Sequence, residues 1–286
     1  MMGVFLRDRR FFVPLLLAPG VGYLLLFFGG PLFSTFVGSF LNDDGVLTLQ
    51  WYVRIFTRPS MLRGLKTSIY YGVAPVIVSI LVSVPLALLI RRSFLGRKLF
   101  SGLYKLPMAV PGIIVGLMVI VMFERGGFVD RIIAPFGLGL PKLVRDDWGV
   151  GVILASVWKQ IPFMTLIITS AFAAIPDDIR FASRTLGASQ IKTFLFVEVP
   201  LAMPGITAAI LLTFIGSMGS YAIPDIVGPP VARPMSVLMV NEFKQGRFPQ
   251  VYAMGMLLSL FAVLVLMAYY ALTDRIGAGN AKGGHQ

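Results

Sequence analysis

The chain has 286 residues, of which 57% are hydrophobic and 13% are charged, and its formal net charge is +12. A soluble domain carries roughly twice that share of charged residues, so the composition favours a protein that crosses a membrane several times. The sequence has no cysteine and a single histidine, which excludes disulfide frameworks, thiolate sites and clustered histidine metal sites.

Six apolar runs are long enough to cross a bilayer, which takes about 20 residues of helix. They predict an all-α, polytopic membrane protein with six transmembrane helices and one transmembrane domain over residues 1–286. Arginines precede the first run, but its length favours a retained anchor over a cleaved signal peptide. The predicted spans are 11–33, 65–90, 100–123, 149–173, 206–227 and 251–272.

Basic residues in short loops predict the orientation, because such loops are retained in the cytoplasm. The link 91–98 after the second span carries four basic residues and no acidic one. Together with the arginines before the first span, it predicts that both termini and the loop 175–201 face the cytoplasm. The same rule attributes the net positive charge to loops beside anionic membrane lipid, and not to nucleic-acid binding.

The third and fourth spans contain residues that are unusual at membrane depth. Pro107 and Pro111 each remove a backbone hydrogen bond from the third span, which indicates either a gate in a translocation path or a static kink. Lys159 lies well inside the fourth span, beside Trp158 and Gln160. A charge at that depth faces a cavity or a partner, so Lys159 either lines a path or is paired within a subunit interface.

The fifth span and its exit combine small, hydroxyl and aromatic residues. Ser217 and Ser220 could offer hydrogen bonds to a solute, or they could allow helices to pack closely. Tyr221 and Asp225 could contact a cation through the ring face or the carboxylate. This segment therefore supplies candidate path residues without deciding between transport and packing.

The polar loop 175–201 separates the fourth and fifth spans. Ile175, Ile179, Ala182 and Leu186 recur at helical spacing and predict a short amphipathic helix. Gly187 is expected to end it, and a second short helix is expected from about Ser189. A charged amphipathic loop of this kind is either an interfacial connector or a docking site for a partner.

The loop resembles the EAA loop of binding-protein-dependent ATP-binding-cassette (ABC) importer permeases. That motif reads Glu-Ala-Ala, three residues, Gly, nine residues and Ile-x-Leu-Pro. Here Phe181-Ala182-Ser183 takes the place of the triplet, Gly187 follows at the family spacing, and Val197-Glu198-Val199-Pro200 closes the pattern. Phe181 stands where the family usually carries Glu, so a polar contact of that Glu with the ATPase does not carry over.

This resemblance implies a type I ABC importer permease fold of the MetI-like kind, in the bacterial inner membrane. It implies a second permease subunit, most simply a different one, two cytoplasmic ATPase subunits and a periplasmic or extracellular solute-binding protein. It also implies that ATP and magnesium bind to the ATPase subunits, with no cofactor in this chain. The residues expected to couple to the ATPase are Asp177, Asp178, Phe181, Ala182, Ser183, Gly187, Ala188 and Ser189.

The segment from Gly219 to Gly228 resembles the spermidine/putrescine branch of these permeases, although Ser220 replaces an acidic residue of that branch. A polyamine is therefore the first candidate substrate. The alternatives are a phosphonate such as aminoethylphosphonate, ferric iron, or another small organic or inorganic ion. The expected path residues are Trp158, Lys159, Gln160, Ser217, Ser220, Tyr221 and Asp225.

Two other classes of function compete with an importer. A membrane-embedded enzyme needs a nucleophile–base pair or clustered carboxylates at membrane depth, and the predicted spans contain neither, so the chain is expected not to be an enzyme. The phosphate-binding pattern Gly-x-x-x-x-Gly-Lys-Ser/Thr is also missing from the sequence. A secondary transporter or channel remains an alternative that Lys159 could serve, although the sequence contains no internal repeat.

Overall fold

The structure, a computed structural model, describes the backbone of residues 9–282 and the side chains of residues 13–271. The predicted cytoplasmic termini lie outside these residues. Within them the chain is helical, and strand-like pairing is limited to an isolated bridge between Leu41 and Leu47. The α-helices in chain order are α1 Arg9–Leu24, α2 Gly30–Gly38, α3 Gln50–Thr57, α4 Pro59–Arg91, α5 Arg97–Leu103, α6 Leu106–Ala109, α7 Gly112–Phe123, α8 Phe128–Ile133, α9 Val150–Ala173, α10 Asp177–Thr185, α11 Gln190–Thr193, α12 Val199–Met218, α13 Ala222–Val227, α14 Met235–Lys244 and α15 Phe248–Lys282.

Six stretches of the described chain are long and apolar enough to cross a membrane, which confirms the predicted all-α class with six transmembrane helices. Many apolar side chains on them remain exposed, including Leu81 and Val121, as expected for surfaces that face lipid or another subunit. The six stretches are Val13–Gly38, Pro59–Arg91, Gly112–Phe136, Val150–Ala173, Gln190–Met218 and Phe248–Ala271.

The third predicted span, 100–123, is not one helix. The structure divides it into α5, α6 and α7, and only α7 belongs to a stretch long and apolar enough to cross a membrane. The last break lies at Val110, which has φ −80° and ψ 124°, and at Pro111, which has ψ 143°. A residue before proline is pushed out of the α-helical region, so Pro111 holds Val110 extended and α7 begins at Gly112.

The fifth membrane-spanning stretch, Gln190–Met218, begins and ends earlier in the sequence than the predicted span 206–227. The helix that crosses the membrane ends at Met218, and a π-helical turn, Phe194–Glu198, joins α11 to α12 at its other end. Pro200 falls in the first turn of α12, but the helical backbone continues before it through the π-helical turn and α11. The helix therefore begins inside the 175–201 loop.

The chain forms two compact units, and the first comprises residues up to Arg58 together with Met239–Leu260. In this unit the connection after α2 is held by side chains of α3. The indole N–H of Trp51 donates to the Leu41 carbonyl at 2.9 Å, and the Tyr52 hydroxyl donates to Ser39 Oγ at 2.8 Å. Gly38 lies against the ring of Tyr252, so α2 and the start of α15 approach closely.

The second unit comprises Pro59–Leu238 and the residues from Phe261 onward, and its centre is formed by α4, α9 and α12. A Cβ on Gly72 of α4 would lie 2.7 Å from the Phe214 ring of α12, so only glycine permits this approach. A buried apolar cluster then joins α7 and α13 to α9. Its members are Tyr71, Val115, Val119, Val144, Val152, Ala155, Ile223 and Val227.

Candidate coupling site and transmembrane polar groups

The first half of the 175–201 loop is the helix α10, as predicted from the apolar spacing. Asp177 and Asp178 occupy its first turn, where carboxylates interact favourably with the helix dipole. Its last residue is Thr185, and Gly187, two residues later, has φ +85°. The N–H of Ala188 donates to the Ser183 carbonyl at 3.2 Å and that of Gly187 to the Arg184 carbonyl at 2.9 Å, which together form a Schellman motif.

The second half begins with α11, which the Ser189 side chain caps by accepting from the Lys192 N–H at 3.3 Å. The hydroxyls of Ser183 and Thr193 lie 2.9 Å apart and join α10 to α11. Gly187 therefore separates two short helices that are linked by side chains, and the predicted helix–glycine–helix arrangement is confirmed.

The apolar residues of these two helices are mostly not packed against the chain. Ile175 is buried, but Ile179 and Ala182 on the same stripe are exposed. Phe181, Leu186 and Ile191 expose 64%, 88% and 71% of their surfaces, respectively. We refer to these three residues as the exposed apolar face. Large apolar side chains projecting from a polar loop mark a surface that another molecule covers.

An ion-pair cluster fixes α10 to the ends of two membrane-spanning helices. Glu198 Oε2 lies 2.8 Å from Arg91 Nη1 at the end of α4, and Glu198 Oε1 lies 3.0 Å from Arg180 Nε on α10. Arg180 also pairs with Asp177 and donates to the Phe172 carbonyl at 2.8 Å, beside the end of α9. We refer to Arg91, Asp177, Arg180 and Glu198 as the Glu198 cluster.

The side chains of Glu198, Arg180 and Arg91 are only 12%, 20% and 21% exposed, so water weakens their attraction less than that of a surface pair. The Arg91 guanidinium also lies 5.2 Å from the centre of the Phe172 ring. Sequence reasoning missed this cluster. Its signal is the acidic Glu198 inside an otherwise apolar run, which requires a cationic partner.

Lys159 contacts the break in the third span. Its Nζ donates to the Val110 carbonyl at 2.6 Å, next to Pro111. That carbonyl belongs to the extended residue between α6 and α7, so Lys159 supplies a donor where the helix supplies none. Lys159 therefore has a third candidate role besides lining a path or pairing within a subunit interface. It holds the third span against α9.

Gln160 connects three helices through its amide. The amide nitrogen donates to Ser217 Oγ on α12, and the amide oxygen accepts from Ser79 Oγ on α4 at 3.4 Å. Ser217 is buried, whereas Trp158 is 39% exposed. The contacts of Gln160 and Ser217 thus fit the packing interpretation, because the two side chains form hydrogen bonds within the chain and need no solute as a partner.

The remaining predicted path residues lie beyond the end of α12. The Tyr221 hydroxyl donates to Asp225 Oδ2 at 2.9 Å, and the Ser220 carbonyl accepts from Ser236 Oγ at 2.6 Å. Asp225 also lines a cavity of about 310 Å³ with Arg145 and Arg233. The structure therefore brings Tyr221 and Asp225 together at the start of α13, outside the membrane-spanning part of the fifth helix. Of the proposed gate residues, Pro107 is buried and Pro111 is exposed.

Comparison with known proteins agrees with this architecture. The family model for the binding-protein-dependent transport system inner membrane component matches residues 79–278. The inner membrane ABC transporter permease protein YdcU of Escherichia coli (strain K12) is 25% identical over 93% of this chain and 90% of its own length. The molybdenum transport system permease protein ModB of Haemophilus influenzae is 25% identical over 75% of this chain and 97% of its own.

A chain in the crystal structure of a bacterial alginate ABC transporter has the same fold. It was solved in complex with an alginate pentasaccharide-bound periplasmic protein. The TM-score is 0.79 at 18% identity, over 94% of this chain and 96% of the other. This likeness confirms the predicted importer permease fold. The chain belongs to the family of binding-protein-dependent transport system inner membrane components and is therefore a multi-pass inner-membrane permease.

Proposed function

We propose that the chain is one of two permease subunits in an ATP-driven importer, and that residues 1–286 act as a single transmembrane permease domain. In this proposal the 175–201 loop lies in the cytoplasm with both termini. The exposed apolar face is the main support, because Phe181, Leu186 and Ile191 lie on or directly beside α10 and α11. The Glu198 cluster fixes α10 to the spans, and the Ser183–Thr193 contact joins α11 to α10. A partner that covers this face gains about 2 kcal/mol for each large side chain.

The proposed partner at this face is an ABC ATPase subunit. Asp177, Asp178, Ala182, Ser183, Gly187, Ala188 and Ser189 would shape the same contact. Phe181 replaces the usual family Glu, so we expect the ATPase to offer an apolar pocket there and not a cationic group. Two ATPase subunits, one for each permease, would bind ATP and magnesium.

A solute-binding protein on the other side of the membrane completes the proposed assembly. Support comes from the family description and from the periplasmic protein bound in the alginate transporter. When the ATPase subunits close on ATP, the two coupling loops are drawn together and the spans change from an inward-open to an outward-open arrangement. The Glu198 cluster would transmit this movement to α4 and α12. The break at Pro107 and Pro111, held by Lys159, is the proposed gate element.

The proposed substrate is a small ion, and a polyamine such as spermidine or putrescine is the first to test. Tyr221 and Asp225 support this choice, because a ring face and a carboxylate can both contact an organic cation. A second candidate is an oxyanion, including molybdate or a phosphonate, since Arg145 and Arg233 line the cavity beside Asp225. Ferric iron remains a third. Trp158, Lys159, Gln160, Ser217 and Ser220 are proposed as further path residues.

Reconstitution tests the importer proposal. The chain should be purified with its cognate ATPase, second permease and binding protein and placed in proteoliposomes. ATP hydrolysis should rise when the loaded binding protein is present, and uptake should require ATP. Uptake driven by a proton or sodium gradient without ATP would instead identify a secondary transporter.

Calorimetry of the cognate binding protein tests the substrate class. Spermidine, putrescine, molybdate, aminoethylphosphonate and ferric ion should be titrated separately, and the tightest ligand identifies the class. No heat of binding with either polyamine would end the polyamine proposal and leave the importer proposal in place.

A further inference from the structure

A large cavity of about 800 Å³ lies beside the Glu198 cluster, where α4 and α9 end and the α10–α11 pair begins. Its described wall contains a single acidic residue, Glu198, and five arginines, so it is strongly positive. The arginines are Arg91, Arg92, Arg97, Arg180 and Arg184.

These arginines fall into two groups. Arg91 and Arg180 form ion pairs with Glu198, at N···O distances of 2.8 and 3.0 Å. Arg92, Arg97 and Arg184 are exposed and form no ion pair among the residues that the structure describes. Three guanidinium groups without a counter-charge converge on one cavity, and an anion that enters it would lower their mutual repulsion.

The rest of the wall is mixed. Leu88, Ala173, Ile191 and Phe194 are apolar, Thr169 and Gln190 are polar, and Ile191 also belongs to the exposed apolar face. Arg91 and Ala173 are the last residues of two candidate membrane spans, so the cavity lies at the level where these helices leave the membrane. A ligand that fits this wall has an anionic group attached to an apolar chain.

We propose that this cavity binds the headgroup of an anionic phospholipid, with Arg92, Arg97 and Arg184 contacting the phosphate and the apolar wall residues contacting the upper part of an acyl chain. Arginine suits this role because its planar fork of N–H donors matches phosphate oxygens. The proposal rests on the proposed function for its orientation, since basic pockets between membrane helices on the cytoplasmic side bind anionic headgroups. A lipid held here would lie directly against the Glu198 cluster.

Native mass spectrometry of the delipidated permease in detergent tests the site without any partner subunit. The protein is titrated with dioleoyl phosphatidylglycerol and, separately, with dioleoyl phosphatidylcholine. The wild type should retain the anionic lipid preferentially. The double variant Arg92→Gln/Arg97→Gln should bind phosphatidylglycerol about 25-fold more weakly, at roughly fivefold for each basic side chain near an anionic headgroup.

The matched control is Arg63→Gln/Lys66→Gln, which removes the same charge from two exposed residues near the other end of α4. It should change the affinity less than threefold, because neither residue lines the cavity. The variant Arg92→Lys/Arg97→Lys keeps the charge and should retain most of the binding. It also serves as the folded comparison if the glutamine variant is unstable.

Three results would overturn the proposal. The first is equal retention of the two lipids by the wild type, and the second is an equal loss in the glutamine variant and its control. The third is that millimolar inorganic phosphate displaces phosphatidylglycerol and stabilises the wild type but not the glutamine variant. That result would assign the cavity to a soluble phosphate. These assays need no ATPase, so the lipid proposal can be refuted while ATP-dependent uptake is still observed. Equally, uptake can prove independent of ATP while the lipid site is confirmed.

Discussion

Replacing Glu198 by glutamine should loosen α10 from the ends of the membrane-spanning helices while leaving the helices themselves intact. The glutamine side chain has nearly the same shape, so the substitution removes the negative charge and one acceptor without creating a cavity. In the wild type the Glu198 carboxylate lies 2.8 Å from Arg91 and 3.0 Å from Arg180. In the variant these two arginines remain close together without it. The two guanidinium groups would then repel each other in a site that water reaches poorly.

The expected loss of stability follows from this burial. Removing one partner of a fully buried ion pair costs about 3–5 kcal/mol, whereas an exposed pair contributes about 1 kcal/mol or less. The three side chains are 12–21% exposed, which places them near the lower end of the buried range. We therefore expect Glu198→Gln to lower the free energy of unfolding by about 3 kcal/mol.

The assay is unfolding of the detergent-solubilised permease in a double-mutant cycle with Arg180→Gln. The cycle should give a coupling energy of about 1–2 kcal/mol. The control is Glu242→Gln in the first unit, where Arg247 is 46% exposed and the pair should contribute less than about 1 kcal/mol. In proteoliposomes, Glu198→Gln should also transport less substrate for each ATP hydrolysed. A coupling energy near zero, together with unchanged transport for each ATP, would refute this reasoning.

Two further predictions concern the break at Gly187 and the contact of Lys159. Gly187→Val should weaken binding of the ATPase without affecting membrane insertion, because φ is +85° and a side chain there costs about 1–2 kcal/mol. The control is Gly187→Asn, because asparagine tolerates this conformation, and this variant should bind the ATPase in pull-down assays almost as well as the wild type. Normal binding by the valine variant would count against the assignment. Lys159→Leu should destabilise the permease by about 1–3 kcal/mol, because the Val110 carbonyl loses its donor, and should reduce uptake. Lys159→Gln, which keeps a donor, should lose less in the same thermal-unfolding measurement, and an unchanged melting temperature in Lys159→Leu would show that the contact does not stabilise the fold.

Local patterns were sufficient for α10 and its end. The spacing of Ile175, Ile179, Ala182 and Leu186 predicted α10, and Gly187 predicted its end, because both depend on interactions within one turn of helix. The break in the third span depends on a contact distant in sequence. The sequence indicated that Pro111 would disturb the third span, but whether a proline bends a helix or ends it depends on which group contacts the backbone at the break. Here that group is Lys159, which is 49 residues away.

Composition and apolar run length by themselves determined that this protein is helical and crosses the membrane six times, since the bilayer requires about 20 apolar residues for each crossing. The motif around Gly187 also determined the family resemblance. Only the tertiary structure decided that Glu198 joins Arg91 and Arg180, and that Gln160 joins Ser79 to Ser217. The reason is physical: a buried polar group requires a partner, but many residues could supply one, and packing alone determines which of them comes within hydrogen-bonding distance.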